Sequence, residues 1–294
     1  METVWIERVR SFNRTVAERI GALNDHFLGR DRPVGEARLL WEIGTAGADV
    51  RDLRARLSLD SAYLSRLLRS LEQQGLVQVD NHPRDRRVRR VVLTDAGVAE
   101  RAELDRRSND LAQRFLEPLT DKQRGRVVAA MAEVERLLTA SIVSISVSHP
   151  AAADARWCVA QYFDELDARF EAGFDSRQSI SADDHELTPP AGFFLLARLC
   201  ERPIACGAVK LHGHAPAELK RMWVAPSVRG LGVGSRLLGE LERRARGAGA
   251  PSIRLETNRM LREAIALYRA SGYREVPPFN AERYAHHWFE KRLA

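Results

Sequence analysis

The chain has 294 residues, of which 29% are charged and 45% hydrophobic, and its formal net charge is +6. This length is enough for two domains that each bury a core, and the composition is that of an ordinary soluble protein. No apolar run is long enough to span a membrane, the first residues lack a signal-peptide pattern, and the cysteines lack metal-ligand spacing. We therefore expect a cytoplasmic protein with no membrane partner and no metal site. The basic excess permits a polyanionic partner without requiring one.

The first segment has the apolar pattern of a long helix. Apolar residues recur there at spacings of three and four, which predicts a helix of about 24 residues. Such a stripe favours pairing with a second helix, and Asn13 within it either sets the register of a dimer or is satisfied within one chain. The repeating residues are Ile6, Val9, Val16, Ile20, Leu23 and Phe27.

Two short helices, at residues 35–46 and 50–57, are predicted to precede a helix capped by Asp60 and ended by Gly75. One face of the helix between Asp60 and Gly75 is leucine-rich and is expected to be buried. The other face is polar, and its side chains suit contacts with phosphates and base edges. These side chains are Ser61, Tyr63, Ser65, Arg66 and Arg69.

Residues 84–90 contain five arginines and one aspartate between two short predicted strands. A hairpin tip projects such charge into solvent, either as a plain solvated turn or as a contact surface for DNA. Together with the preceding helices, the hairpin resembles the winged helix–turn–helix of MarR-family regulators over about residues 5–142. The motifs that carry the resemblance are Gly75-Leu76-Val77, Asp85-Arg86-Arg87 and Leu93-Thr94-Asp95-Ala96-Gly97.

The MarR resemblance implies a homodimer that binds a double-stranded DNA operator. The helix after Asp60 would enter the major groove, and the wing would reach the minor groove through Arg84, Asp85, Arg86 and Arg87. A helix from Thr94 to about Leu116 follows, and Thr120 and Gln123 form a capping box for another. The segment after that helix is small and low in charge, so the domain junction is placed at 143–154.

The second half alternates strands and helices. A strand giving way to a helix is predicted between 157 and 173, and a polar loop that borders the substrate at 175–192. An antiparallel pair follows, with strands at 193–199 and 204–211 that turn at 201–203. Further strands are predicted at 218–224, 252–257 and 286–292, and a helix at 262–270.

Three alternating glycines lie between the strand at 218–224 and a helical run: Gly230, Gly232 and Gly234. A strand, a Gly-rich turn and a helix direct backbone N–H groups and the positive end of a helix dipole at an anion. No Gly-Lys-Ser/Thr follows, so the turn is not a P-loop.

The segment from Glu218 to Gly234, followed by residues 253–258 and 266–273, resembles the GNAT superfamily of N-acetyltransferases. The resemblance covers roughly the last 140 residues and implies that the anion is the pyrophosphate of acetyl-CoA. It implies cofactor contacts by Met222, Trp223, Val224, Arg229, Gly230, Leu231, Gly232, Val233, Gly234, Ser235, Asn258 and Tyr268. Trp223 is alternatively a core residue, and Asn258 a helix N-cap.

The resemblance also implies the catalytic groups. Tyr268 lies where the family places the residue that protonates the sulfur of the departing thiol. Glu218 matches a strand position that carries a glutamate base in some members. Its alternative role is that of an exposed strand carboxylate or of a salt-bridge partner of Lys220. Asn258 would contact the cofactor or a bound water. Glu256, His286 and His287 remain alternative bases.

The sequence thus predicts two domains. Residues 1–147 would form a mainly α winged helix–turn–helix domain for DNA binding and dimerisation. Residues 151–294 would form an α/β acetyltransferase domain with a mixed, mostly antiparallel sheet, which acetylates an amine of a small molecule. Either this substrate controls DNA binding, or the two domains are merely tethered. Two alternatives are a sensor of acetyl-CoA or an amine with little turnover, and an enzyme whose first half is only a dimerisation scaffold.

Overall fold

The computed structural model describes residues 3–21, 27–82, 85–180 and 182–293. For residues 81, 82 and 85–88 it describes the backbone alone. The chain forms two compact units, Met1–Met131 and Ala132–Ala294. The domain boundary at 147–151 stays a prediction. None of the described helices combines the length and the apolar character needed to cross a membrane.

The first unit is mainly helical and carries one small sheet. Its elements are α1 (Thr3–Arg19), α2 (Val34–Ile43), β1 (Ala48–Asp49), α3 (Val50–Leu57), α4 (Ser61–Gln73), β2 (Val77–His82), β3 (Asp85–Leu93), α5 (Asp95–Leu116) and α6 (Asp121–Ser141). The sheet has the order β1-β3-β2, and β3 is antiparallel to both neighbours. The pair α3–α4 followed by the β2–β3 hairpin is a winged helix–turn–helix, which confirms that prediction.

The helix α4 is fixed by its cap and by its apolar face. The carboxylate of Asp60 accepts hydrogen bonds from the N–H groups of Ala62 and Tyr63, at 3.0 and 2.8 Å. Such a cap stabilises a helix by about 1 kcal/mol. The predicted leucine face is buried in the core of this unit, through Leu64, Leu67, Leu68 and Leu71.

Among the described residues, α1 and α6 bury no side chain. The predicted helix of about 24 residues is wrong in length, because α1 ends at Arg19 and Gly21 adopts a φ of 66°, the left-handed conformation that ends helices. Phe27 instead lies in a separate 3-10 turn and is buried in the core. Leu23 lies outside the described residues.

The second unit contains a seven-stranded sheet. Its elements are β4 (Ser144–Val147), α7 (Ala153–Arg169), β5 (Gly192–Leu199), β6 (Arg202–Lys210), β7 (Ala217–Val224), α8 (Val233–Gly247), β8 (Ser252–Thr257), α9 (Arg262–Ala270), β9 (Arg274–Glu275) and β10 (His287–Arg292). The strand order is β4-β5-β6-β7-β8-β10-β9. The β7–β8 pair is parallel and the other recorded pairs are antiparallel, so the predicted mixed, mostly antiparallel sheet is confirmed.

Helices cover both faces of this sheet. Along β5, Phe194 and Leu196 belong to the apolar cluster that contains Cys158 of α7. The alternate residue Leu195 belongs to the cluster that contains Leu237 of α8. Because successive side chains of a strand point to opposite faces, α7 and α8 pack on opposite sides of the sheet.

Two segments differ from the sequence prediction. The expected junction contains β4, which pairs antiparallel with β5 from Ser144–Arg198 to Val147–Leu195. The strand expected at the start of the 157–173 segment is helical, because α7 already begins at Ala153. Its buried residues are spaced for one face of a helix, and burial of that face outweighs the strand preference of the aromatic side chains. They are Ala155, Cys158, Val159 and Leu166.

Candidate functional site

The parallel strands β7 and β8 pair only at their first residues. The recorded pairs are Ala217–Ile253 and Glu218–Arg254. Beyond these pairs the strands no longer hydrogen-bond to each other, and the residues 219–222 and 255–258 line a common cavity. A cleft between two separated parallel strands therefore opens in the middle of the sheet.

We call this space the aromatic cavity, and its volume is about 110 Å³. Five aromatic side chains line it: Tyr162, Phe170, Phe174, Tyr268 and Tyr284. Four charged side chains line it as well: Lys220, Arg221, Glu256 and Glu282. The cavity therefore combines an apolar wall with charges of both signs, as sites for small polar molecules do.

A second space of about 460 Å³, which we call the turn cavity, adjoins the aromatic cavity. The two share the lining residues Tyr162, Leu166, Met222, Leu261 and Ala264. The turn cavity is also lined by Trp223, Val224, Arg229, Gly230, Gly232, Val233, Gly234 and Ser235. The shared lining places the two cavities side by side, along β7 and the start of α8.

The glycine turn, residues 229–235, has the geometry of an anion site. Gly230 and Gly232 have φ angles of 82° and 73°, and a Cβ built on either would meet no protein atom within 4 Å. The first α8 hydrogen bond recorded runs from Arg236 N to Gly232 O. Within the described chain, the N–H groups of residues 233–235 therefore keep no acceptor in the helix. An anion can approach this backbone closely, and the helix dipole favours it there.

The glycine at 234 has a different role from the other two. A Cβ on Gly234 would lie 3.2 Å from Leu267 Cδ2 and 3.6 Å from a methyl group of Val224. Its missing side chain therefore allows α8 to approach α9 and β7 closely.

The carboxylate of Glu165 on α7 organises the opposite wall of the turn cavity. It accepts hydrogen bonds from Arg229 Nη2 at 2.7 and 2.6 Å and from Trp223 Nε1 at 2.9 Å. Arg169 Nη2 lies 2.9 Å from the same carboxylate. Arg169 also pairs with Glu263, at 2.9 Å. Two guanidinium groups are thus held beside the glycine turn, where they can donate hydrogen bonds to an anion, while Glu165 and Glu263 balance their charge.

Across the cleft, Lys220 of β7 forms an ion pair with Glu256 of β8, with 2.5 Å between Nζ and Oε1. Tyr268 of α9 is buried and lines the same cavity. Burial raises the pKa of Tyr268 far above its ordinary value, and the charge of Glu256 adds to the shift. The phenol is therefore protonated at neutral pH and can act as a proton donor.

The structure brings most of the predicted active-site residues together, with two exceptions. Met222, Asn258 and Tyr268 line the aromatic cavity, and the predicted cofactor residues 222–224, 229, 230 and 232–235 line the turn cavity. Leu231 lines neither cavity and packs instead against the apolar core. Trp223 is both a core residue and part of the lining.

Glu218 is the second exception, because it also lines neither cavity. It accepts a hydrogen bond of 2.7 Å from Arg254, and Lys220 and His212 lie 3.5 Å away. Burial opposes its ionisation, but the hydrogen bond and the nearby positive charges outweigh burial and place the pKa of Glu218 below its ordinary value. Of the alternative bases, Glu256 lines the aromatic cavity, whereas His286 and His287 do not.

Both polar atoms of the Asn258 side chain make hydrogen bonds. Its Nδ2 donates to the carbonyl of Tyr284 at 2.8 Å, and its Oδ1 accepts from Met260 N at 2.9 Å. The N-cap position of α9 is Leu261, so Asn258 is not the helix cap. It holds the segment that carries Tyr284 against the end of β8.

Sequence reasoning missed Glu165, Arg169, Tyr162 and Glu282. Glu165 and Arg169 are four residues apart on α7, a spacing that places them on one helix face. The segment was expected to begin as a strand, which hid this signal. In the part of the chain that the structure describes, no group of three or more His, Cys, Asp or Glu side chains is arranged to hold a metal ion.

The predicted DNA-binding residues of α4 share its outer face. Ser61, Tyr63, Arg66 and Arg69 are exposed and Ser65 is partly exposed, opposite the buried leucines. The guanidinium of Arg66 lies 5.6 Å from the centre of the Tyr63 ring. A rigid aromatic ring beside a guanidinium suits a contact with a base edge and a phosphate.

The wing strands form as predicted, and the DNA contacts expected of the residues at the tip stay a prediction. Arg84 and the side chains of Asp85, Arg86 and Arg87 lie outside the described residues. Arg90 is fixed to the body of the unit, since its Nη2 donates to the carbonyl of Ala46 at 2.5 Å and its Nη1 lies 3.6 Å from Asp49. One of the five arginines of this hairpin is therefore structural.

A winged helix–turn–helix followed by a cleft between separated parallel strands, with a glycine turn at one end, defines a regulator joined to an acyltransferase. The profile of the Acetyltransferase (GNAT) family matches residues 159–273, and that of the MarR family matches residues 29–88. The chain is thus a member of the GNAT acetyltransferase family that carries a MarR-family region in its first half.

Three relatives illustrate the two halves. The IAA acetyltransferase of Azospirillum brasilense is 35% identical over 122 residues, which cover 41% of this chain and 80% of that protein. A GNAT-family acetyltransferase structure from Staphylococcus aureus is 18% identical and covers 52% of this chain and 99% of its own, with a TM-score of 0.45. A mutant MarR from E. coli, complexed with operator DNA, is 24% identical and covers 44% and 94%, with a TM-score of 0.38.

Proposed function

We propose that the second half of the chain transfers an acetyl group from acetyl-CoA to the amine of a small molecule. The observation that carries this proposal is the pair of adjoining cavities, one between β7 and β8 and one beside the start of α8. At one end lie the unpaired N–H groups of the glycine turn, and at the other lie Tyr268 and Glu256. A donor held by the turn and an acceptor in the aromatic cavity would meet beside Met222, which lines both spaces.

The glycine turn fits the pyrophosphate of acetyl-CoA. The N–H groups of residues 233–235 would bind it at the start of α8, and the guanidinium groups of Arg229 and Arg169 would supply further hydrogen-bond donors. Glu165 would keep both guanidinium groups in place by its ion pairs. The arm of the donor would run beside residues 222–224 of β7, the strand edge that faces the turn cavity.

Proton transfer is assigned to two groups of the aromatic cavity. Tyr268 would protonate the departing sulfur, since its raised pKa keeps the phenol neutral. Glu256 would accept the proton of the attacking amine, and Lys220 positions its carboxylate. We prefer Glu256 to Glu218 because Glu256 lines the aromatic cavity, whereas Glu218 lies outside both cavities. Asn258 would shape the cavity by holding the segment of Tyr284.

For the first half we propose operator binding by a homodimer. The exposed polar face of α4 supports the DNA contact. The exposed apolar side chains of α1 and α6 support the dimer, because such stripes are rare on a monomer surface. They include Trp5, Val9 and Phe12 on α1, and Met131, Leu137 and Leu138 on α6. An amine substrate that changes operator affinity would join the two functions.

The decisive experiment measures acetyl-CoA binding by calorimetry and free-thiol release with a panel of amines. Binding together with amine-dependent release supports an enzyme. Binding with no release from any amine supports the alternative of a sensor with little turnover. Absence of acetyl-CoA binding would reject the acetyltransferase function altogether.

A further inference from the structure

Arg221 occupies an irregular position on β7, at the centre of the cleft. The β6–β7 register shifts between Cys206, which faces Trp223, and Ala208, which faces Lys220. Arg221 lies in this bulge with a φ of 53°, and its side chain is mostly buried and lines the aromatic cavity. A non-glycine residue in the left-handed region inside a strand is a strained feature that the surrounding fold maintains.

In the part of the chain that the structure describes, no carboxylate lies within hydrogen-bond distance of the Arg221 guanidinium. Its Nη2 donates to the carbonyl of Ala182 at 2.7 Å, whereas the nearest carboxylate, Asp184, lies 4.0 Å from Nη1. That carboxylate is already paired with Arg156, at 2.6 Å. Burial lowers the pKa of Arg221, as expected for a cation whose charge is poorly compensated.

The other charged groups of the cavity are satisfied by protein partners. Glu256 is paired with Lys220 across the cleft. Glu282 accepts hydrogen bonds from the N–H groups of Ile180 and Tyr284 and from the hydroxyl of Ser179. Lys220 is held by the carboxylates of Glu256 and Glu218, so of the two cations that line the cavity in the described chain, Arg221 is the one whose charge is free for an anionic group of a ligand.

An apolar wall completes the cavity. The rings of Phe170, Phe174 and Tyr284 form a cluster with centroid separations of 5.0 to 5.9 Å. A cluster of this kind excludes water and accepts an apolar side chain. The cavity thus offers a guanidinium, an apolar wall and, at Glu256, a carboxylate base.

We propose that the acetyl acceptor is an amino acid with an apolar side chain, whose carboxylate binds the guanidinium of Arg221. This inference rests on the proposed acetyltransferase function and names its substrate class. The amino acid's apolar side chain would contact the ring cluster, and its amine would face Glu256. The amine nitrogen forms a bond to the acetyl carbonyl carbon, and the carbon–sulfur bond breaks with its electron pair on sulfur. One amine proton passes to Glu256, and Tyr268 supplies the proton that makes the free thiol.

The test compares amino acids with the amines that lack only the carboxylate. L-leucine is paired with 3-methylbutylamine and L-phenylalanine with 2-phenylethylamine, using the full chain, acetyl-CoA and detection of free thiol. A charged hydrogen-bonded pair predicts a kcat/KM for the amino acids that is roughly 10- to 150-fold higher. Arg221→Gln should abolish this preference, because it should raise KM for the amino acid much more than KM for the matching amine. Arg221→Lys should restore part of it.

Arg198→Gln is the control, because Arg198 pairs with Asp154, at 2.9 Å, and lines neither cavity. It should retain the full preference for the amino acids. Wild-type enzyme that uses the decarboxylated amines equally well, or an Arg221→Gln variant that keeps the preference, would overturn the inference.

A binding measurement separates this inference from the proposed function. Thermal unfolding of the full chain is recorded with L-phenylalanine or with 2-phenylethylamine. Stabilisation by the amino acid alone, lost in Arg221→Gln, supports the carboxylate site even if no thiol is released. Thiol release from amines without any carboxylate preference keeps the enzyme but rejects the site.

Discussion

The guanidinium of Arg136, on the last turns of α6, donates a hydrogen bond to the backbone carbonyl of Gly230 in the glycine turn. A second arginine makes the reverse connection, since Arg236 of α8 donates to the carbonyls of Ala140 and Val143 at 2.6 and 2.8 Å. The end of α6 is therefore hydrogen-bonded both to the turn that we propose binds pyrophosphate and to the start of α8. We therefore expect a change at the end of α6 to alter the glycine turn, and a change in the turn to alter the end of α6.

Arg136→Ala should weaken acetyl-CoA binding without abolishing it. The loss of one hydrogen bond that holds the turn costs about 0.5–1.5 kcal/mol, which corresponds to a rise in Kd of roughly 2- to 10-fold. Calorimetry with acetyl-CoA measures it. Arg126→Ala serves as the control, because Arg126 is an exposed residue of the same helix. An unchanged Kd in Arg136→Ala would show that the contact does not support the turn.

Gly232→Val should strongly raise the KM for acetyl-CoA. The position has a φ of 73°, which a β-branched residue resists, and the open space above it is where the anion would approach. Gly239→Ala is a control on α8, since a Cβ there meets no atom within 4 Å. We expect that control to keep its KM and to gain about 0.5–1 kcal/mol of stability, because alanine favours a helix interior.

Tyr268→Phe should lower kcat by about 10²- to 10⁴-fold, the usual contribution of a positioned proton donor. Acetyl-CoA affinity should stay close to that of the wild type, because the ring is retained and only the hydroxyl is lost. Tyr273→Phe removes another buried hydroxyl that lines neither cavity, and its kcat should be normal. Equal kcat in both variants would remove Tyr268 from the mechanism.

The buried tyrosines should make the fold sensitive to alkali. Burial raises the pKa values of Tyr162, Tyr268 and Tyr273. Their folded-state pKa values lie above the unfolded value of about 10, so the stability that they contribute is fully present below that pH and is lost above it. Urea unfolding between about pH 8 and pH 11 should show this fall. Tyr273→Phe should reduce the slope by up to about 1.4 kcal/mol per pH unit above pH 10.

DNA binding should separate into two effects. The double change Arg86→Ala and Arg87→Ala should weaken binding to every DNA sequence and reduce the salt slope by roughly 2, since each phosphate contact contributes about 0.9. Arg66→Ala should instead change the preferred operator sequence. Arg90→Ala is expected to lower stability, because Arg90 anchors the hairpin to Ala46 and Asp49. Gel-shift titrations at several salt concentrations measure the first two effects, and thermal unfolding measures the third. Unaltered binding in the first two variants would remove the operator proposal.

Local signals in the sequence predicted much of this fold. The cap at Asp60, the cap at Thr94 and the capping box at Thr120 all form as expected. The glycine turn also lies between its predicted strand and helix. Each of these depends on residues within a few positions of one another, so the pattern alone specifies them.

What the sequence did not reveal depends on residues far apart in the chain. Glu165 meets Arg229 across 64 positions, and Arg136 meets Gly230 across 94. The open donors of Arg221 follow from a register shift that no local pattern encodes. The sequence favoured Glu218 as the base and kept Glu256 as an alternative, and only the separation of β7 from β8 shows that Glu256 is the one inside the cleft.

The edge strand β4 has a consequence for any attempt to divide the gene. A protein expressed from residue 151 onward would lack β4, and the apolar strand β5 would become an open sheet edge. Open apolar edges recruit strands from other molecules, so such a fragment should precipitate. It would also lose Arg136 and the carbonyls that receive Arg236. A fragment that begins before Arg136 should be stable, because it keeps β4 and these hydrogen bonds. The sheet of the second unit therefore depends on residues that precede position 151.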